Sequence, residues 1–212
     1  MAEQFREACL SNNLELVQSL ERRHVDTWLF WDVCKLGYLD MAKLLYMMRR
    51  EILDDIDRVF EYTCLYGHLD LMQWLHSLGA DISHKKNRPL MRSCESGQLN
   101  SVQWLYDKGV NITTQNNKAF ISACSYNRIN IVKWMIEIHY KFHGFIHFGK
   151  YYQFTSEIKD LLIDNNLVHP SQLTGCDLLY YFQRNNNRVP SDFKYHGTVP
   201  RGKHTKPALR NF

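Results

Sequence analysis

The feature that most constrains the fold of this 212-residue chain is the even spacing of its cysteines. Four of them recur every 30 residues and a fifth precedes that series by 25, giving Cys9, Cys34, Cys64, Cys94 and Cys124. A fixed period of this length is typical of repeat architectures, in which one supersecondary unit is copied along the chain. The spacing therefore predicts five equivalent units.

Fixed offsets from each cysteine predict what one unit contains. Four residues before it stands a large apolar residue: Phe5, Phe30, Phe60, Leu90 and Phe120. Three residues after it stands asparagine or glycine: Asn12, Gly37, Gly67, Gly97 and Asn127. These two residue types best tolerate the left-handed conformation that ends a helix. Apolar residues five and eleven positions after the cysteine, such as Leu39 and Leu45, predict a second helix packed against the first.

Two short helices cannot bury their own apolar face, so neighbouring units must stack into a solenoid with a shared core. The predicted fold class is therefore all-α, a helix-turn-helix solenoid. Gly79 and Gly109 are expected to end two of the second helices. The joint after the Cys34 unit has Met48-Arg49-Arg50-Glu51 in place of a glycine turn, which predicts nearly continuous helix there.

Three segments resemble ankyrin repeats: Gly67-His68-Leu69-Asp70-Leu71, Gly79-Ala80-Asp81-Ile82 and Arg88-Pro89-Leu90-Met91. The resemblance covers residues 5–140 and implies helix pairs joined by projecting β-hairpin fingers. Because the family unit is about 33 residues long, the shorter period predicts short fingers. The ladder of Trp74, Trp104 and Trp134, with Asn116-Asn117, is similar to the ankyrin sets of giant DNA viruses.

The chain is expected to have three parts. Residues 1–140 form the ankyrin repeat domain, and residues 141–185 a degenerate repeat or helical cap with Ile158, Leu161 and Leu162 on one helical face. Residues 186–212 form an irregular tail with a net charge of +5. Its cations are Arg188, Lys194, Arg201, Lys203, Lys206 and Arg210.

Several residues could carry chemistry, and each has a simpler interpretation. Cysteines in neighbouring units would lie about 10 Å apart, beyond the roughly 7 Å between Cα atoms that a disulfide needs, so they are expected to pack in the core. The tryptophans are expected to pack between repeats, with base stacking as the alternative. His139, His143 and His147 share a helical spacing, but no carboxylate or cysteine follows at matching intervals.

No phosphate-binding glycine loop, nucleophile elbow or HExxH pattern occurs in the sequence. We therefore predict a protein that is not an enzyme and has no cofactor and no metal site. The sequence also has no apolar run of about 20 residues that would span a bilayer and no secretory signal pattern. These features predict a soluble, intracellular, cytoplasmic protein.

Binding to another protein is the predicted function, because a solenoid offers a long concave surface whose residues are free to vary. The resemblance to ankyrin repeats implies contact residues just after the cysteines: Lys35, Leu36, Leu65, Tyr66, Glu95, Ser96, Ser125 and Tyr126. It adds residues of the fingers: His84, Lys85, Lys86, Asn87, Gln115, Asn116 and Asn117. The alternatives are binding of nucleic acid or an anionic surface through the tail, or a structural role in a viral particle.

Overall fold

The structure is a computed structural model that describes residues 2–20, 25–53, 55–138 and 154–168. The chain divides into two units, Met1–Glu137 and Ile138–Phe212. Every regular element in the described residues is helical and none is a strand, so the all-α prediction is confirmed. Within the same residues no helix is both long enough and apolar enough to cross a membrane.

Helices alternate along the first unit as first and second members of pairs. The first helices are α1 (Ala2–Leu10), α3 (Thr27–Leu36), α5 (Ile56–Tyr66), α7 (His84–Ser96) and α9 (Thr114–Ser125). The second helices are α2 (Leu14–Ser19), α4 (Leu39–Met48), α6 (Leu69–Ser77), α8 (Leu99–Asp107) and α10 (Ile129–Ile138). Each first helix contacts the first helix of the next pair, as a solenoid requires.

Local sequence explains where the first helices begin and end. Asp26 and Asp55 are N-caps, and each carboxylate accepts a hydrogen bond from a backbone N–H three residues later. At the other end Gly37, Gly67 and Gly97 have φ values of 82°, 78° and 87°. The predicted left-handed helix ends are therefore confirmed, and asparagine takes the same conformation at the equivalent positions of the first and fifth pairs.

The five ladder cysteines and the apolar residues four positions before them are buried. On the second helices the residues eleven positions after the cysteine are buried in pairs two to five, as predicted. The residues five positions after it are only half-buried. The second-helix core is instead completed by residues seven and eight positions after the cysteine, such as Leu71 and Met72. This corrects the sequence-based estimate of which side of the second helix faces inward.

The prediction of nearly continuous helix after α4 is wrong. Arg49 takes an extended conformation, with φ −148° and ψ 101°, and a 3-10 turn follows over Arg50–Leu53. The Arg49 side chain donates from Nη1 to the Val25 carbonyl at 2.9 Å. Ile52 is buried in the turn. The chain therefore bends because a long-range hydrogen bond and a buried isoleucine replace the missing glycine.

The joints that were expected to form β-hairpin fingers are turns without strands in the described residues. Two first helices open with three consecutive residues in the left-handed region, Lys85 to Asn87 in α7 and Gln115 to Asn117 in α9. Asparagine tolerates this conformation, but lysine and glutamine reach it at a cost of about 1–2 kcal/mol each. In these two joints a tight left-handed turn therefore stands where a β-hairpin finger was expected.

Side chains four residues after a cysteine lie over the end of the previous first helix. His68 donates from Nε2 to the Lys35 carbonyl at 2.8 Å, and Arg128 donates from Nε to the Glu95 carbonyl at 2.8 Å. A Cβ atom at Gly37 would lie 2.6 Å from the His68 ring. Glycine therefore both ends the helix and leaves room for the next repeat.

The tryptophan ladder packs between repeats, as predicted. Trp74 meets Tyr46 edge-on with ring centroids 5.8 Å apart, and Trp134 meets Tyr106 in the same way at 5.5 Å. His76 and Trp104 make the equivalent contact at 5.6 Å. All three indoles are half-buried. These rings take part in packing between second helices, which argues against base stacking.

In the second unit the described residues contain one helix, α11 (Ser156–Asp164). Ile158 and Leu162 are buried, as predicted, together with Ile163, whereas Leu161 is half-buried. The rest of the predicted cap, the triplet of histidines and the whole basic tail lie outside the described residues. The boundaries proposed for the cap and tail stay predictions.

Candidate functional site on the first-helix face

The outward side of α3, α5, α7 and α9 forms one surface, which we call the first-helix face. Its residues stand six, three and two positions before each cysteine and one or two positions after it. On a helix of 3.6 residues per turn, these i, i+3, i+4, i+7 and i+8 positions share one side. Consecutive repeats place such residues next to each other, because the first helices contact in sequence.

Aromatic side chains cover this face between α3 and α5. The ring of Trp31 lies 6.0 Å from Trp28 and 5.1 Å from Tyr62, centroid to centroid. The Arg58 guanidinium lies over Trp31 at 5.0 Å. Trp28 is 74% exposed, which is unusual for so large an apolar side chain. We call Trp28, Trp31 and Tyr62 the aromatic patch.

Two predicted contact residues meet beside this patch. The Lys35 ammonium lies 5.7 Å from the centroid of the Tyr66 ring. Tyr66 in turn stacks on His68, whose ring is fixed by its hydrogen bond to the Lys35 carbonyl. The tyrosine is therefore partly exposed but held in one place, which lowers the entropy lost on binding a partner.

A buried carboxylate binds two arginine side chains in the middle of the first-helix face. Glu61 is 6% exposed, and its Oε1 forms an ion pair with Arg88 Nε at 2.6 Å and accepts a hydrogen bond from Arg92 Nε at 3.1 Å. Arg92 also donates from Nη1 to Glu95 at 3.1 Å. Both arginines belong to α7 and the glutamate to α5, so this network joins two repeats. It also fixes two guanidinium groups close together, with their positions set by one buried anion.

A cleft of about 270 Å³ opens between α7 and α9. We call it the basic cleft, and its lining residues are Lys85, Arg88, Met91, Arg92, Glu95, Gln115 and Lys118. Two of these residues also form hydrogen bonds between the repeats: Gln115 donates to the Lys86 carbonyl, and the Glu95 carbonyl accepts from Arg128 Nε. The lining thus has four cations and one carboxylate.

All but one of the residues predicted for partner contact are exposed or half-buried, but their roles differ. Leu36 and Tyr126 are free on the surface, the latter 54% exposed. Ser96 and Ser125 donate to carbonyls of their own helices. Lys85, Glu95 and Gln115 come together in the basic cleft.

The finger residues divide in the same way. Lys86 and Asn116 are exposed, whereas Leu65 on α5, His84 and Asn117 are half-buried. Asn87 is 8% exposed and donates from Nδ2 to the Asn111 carbonyl and to Thr114 Oγ1. It holds two repeats together, so we leave it out of the proposed contact surface.

The ladder cysteines are free thiols within the core. Burial raises the pKa of the Cys9 thiol from 9.0 to about 11 and raises the pKa values of the Cys34 and Cys124 thiols further. A thiol that resists ionisation is a poor nucleophile and a poor metal ligand. The predicted core-packing role therefore agrees with their environment.

Sequence reasoning missed the aromatic patch, Glu61 and the two arginines, because it followed the family positions after each cysteine. The signal was present one helical turn earlier. Trp28, Trp31 and Asp32 precede Cys34 at offsets that share a helical side, and Arg88 and Arg92 stand at the corresponding offsets before Cys94.

Comparison with known proteins gives matches of two kinds, to a family model and to solved structures. A family model described as ankyrin repeats, in three copies, matches residues 60–143. The structure is similar to the crystal structure of the human ASB11 ankyrin repeat domain, with a TM-score of 0.58 and 16% sequence identity over 84% of this chain and 96% of that one. A search of curated protein sequences finds no significant match. At this identity the structural likeness shows a shared fold.

Proposed function

We propose that this chain, whose residues 60–143 are ankyrin repeats, is a non-catalytic module that binds a protein partner on its first-helix face. Ankyrin repeats are general protein interaction modules, and the solenoid interpretation predicts that this face is the concave one. We place this function inside the cell, since the sequence has no secretory signal pattern. The observation that carries the proposal is the aromatic patch, which leaves Trp28 mostly exposed to solvent.

The chemistry of this face supports a protein partner. Tryptophan, tyrosine and arginine are the residue types enriched at the centres of interfaces, where they contribute most of the binding energy. On this face Trp31 packs between Tyr62 and Arg58, and Tyr66 packs against Lys35 and His68. Side chains that are already packed lose little freedom when a partner covers them.

The experiment uses the full chain as bait and compares three variants. Trp28→Ala, Tyr66→Ala and Tyr126→Ala each remove one exposed ring from the first-helix face. Met47→Ala is the control, because Met47 is 77% exposed on α4, a second helix. We expect each face variant to weaken saturable binding of the partner by about 1–2 kcal/mol, within the range for interface aromatic residues. The control should leave the affinity for the partner unchanged. Equal effects of all four variants would refute the proposal.

The sequence favours one alternative, because the tail has six cations against one anion. Such a segment would bind nucleic acid or an anionic surface weakly and with strong salt dependence. Deleting residues 186–212 would then abolish binding to duplex DNA at low salt and leave partner binding by the repeats intact. Unchanged DNA affinity after the deletion would remove this alternative.

A further inference from the structure

The basic cleft differs from the rest of the first-helix face in how its charges are held. Lys85, Arg88, Arg92 and Lys118 line it together with the carboxylate of Glu95. Counting Glu61, the buried anion beneath the arginines, the site keeps a net charge of +2. An excess of positive charge in a concave site attracts an anionic ligand.

The arginines are fixed before any ligand arrives. Two guanidinium groups share the Oε1 atom of Glu61, so their Nε atoms are each held within about 3 Å of one buried oxygen. The described contacts use Nε of Arg88 and Nε and Nη1 of Arg92. An arginine has five N–H donors, so most of the donors remain for a ligand. Groups positioned in advance bind more tightly than groups that must first be ordered.

Backbone conformation also marks this site. Lys85 has a φ of 46° and belongs to the left-handed turn at the start of α7, and Gln115 occupies the corresponding place in α9 with a φ of 54°. Residues other than glycine adopt this conformation only at a cost in free energy. Both line the basic cleft, and strained residues tend to concentrate at functional sites.

The existing partners of the arginines indicate which anion fits. Glu61 and Glu95 are both carboxylates, and both are already bound by arginine in this site. Nucleic acid is a poorer match, since it needs a continuous track of cations, and the acidic residues Asp32, Glu61 and Glu95 interrupt the first-helix face.

From these observations we propose that the basic cleft binds carboxylate side chains of an acidic segment in a protein partner. This inference rests on the proposed function, protein binding by the first-helix face. It adds that the part of the partner at the basic cleft is acidic. The aromatic patch is expected to take a neighbouring apolar residue of the same partner.

Fluorescein-labelled peptides test this inference with the full chain. One peptide alternates Glu and Gly, so that all carboxylates share a side when it is extended; in two others Gln or phosphoserine replaces Glu. We expect binding of the Glu peptide at low salt, measured by fluorescence anisotropy, and no binding of the Gln peptide. Equal binding of the Glu and Gln peptides overturns the proposal, and so does binding of the phosphoserine peptide alone.

Charge-removing variants locate the binding. Lys85→Gln and Lys118→Gln are each expected to lower the affinity for the Glu peptide by about two- to fivefold, as for partly exposed ion pairs. Lys43→Gln removes a lysine from the second helix α4, away from the cleft lining, and as the control should leave the peptide affinity unchanged. An equal loss in the control overturns the assignment to the cleft. If both cleft variants keep full affinity for the cellular partner while Trp28→Ala loses it, the cleft proposal fails and the proposed function stands.

Discussion

Replacing Gly37 by alanine tests whether consecutive repeats are locked together through the ends of their first helices. Gly37 has a φ of 82°, where alanine costs about 1–2 kcal/mol. Part of this cost is offset by about 0.4–1 kcal/mol, because alanine restricts the unfolded chain. The new Cβ would also lie 2.6 Å from two atoms of the His68 ring. The ring must therefore move and give up its hydrogen bond to the Lys35 carbonyl, a loss of about 0.5–1.5 kcal/mol.

Gly109→Ala is the matched control, since Gly109 has a similar φ of 89° and open space around its Cα. We expect Gly109→Ala to lower the free energy of unfolding by about 1 kcal/mol and Gly37→Ala by about 2 kcal/mol. Urea unfolding followed by circular dichroism at 222 nm measures both. In a His68→Ala background the cost of Gly37→Ala should fall to that of the control. Equal costs for the two glycines, with no coupling to His68, would refute this account of the joint.

Three further predictions concern the buried groups. Glu61→Gln should lower the free energy of unfolding, measured in urea, by about 1–2 kcal/mol, because it removes the anion shared by two partly exposed arginines. An unchanged free energy of unfolding would mean that the network positions the arginines without stabilising the fold. Cys94 should react with a thiol reagent only as fast as its repeat opens, because it is fully buried; complete labelling within mixing time contradicts this. Stability should fall as pH rises from about 9 to about 11, since the unfolded Cys9 thiol ionises before the folded one, whose pKa is about 11; Cys9→Ala should reduce that loss, and an identical pH profile would count against it.

The repeat architecture was predictable because it depends on residues whose effect is local to one repeat. A small buried cysteine, an apolar residue one turn earlier and a glycine or asparagine at the helix end each have one physical reason to recur. The break at Arg49 was not predictable from local rules. It depends on a hydrogen bond to the Val25 carbonyl, 24 residues earlier in the chain.

The candidate site was only partly predictable for the same reason. Tyr66 and Tyr126 follow from their offsets after a cysteine, but the aromatic patch requires knowing which residues of adjacent helices face each other. Asn87 shows the opposite error. Its place in a turn suggested a surface contact, whereas its amide is used to join two repeats. Polar residues in turns therefore need three-dimensional information before they are assigned to binding or to structure.

Photo-crosslinking from single positions tests most directly the claim that the first-helix face binds a protein. A benzophenone amino acid would replace Tyr66 on that face in one variant and Met47 on α4 in another, with both full chains expressed in the native cell. We predict a discrete crosslinked protein from position 66 that competes with unlabelled chain, and none from position 47. Specific crosslinking from position 47 alone, or the same products from both positions, would contradict the account.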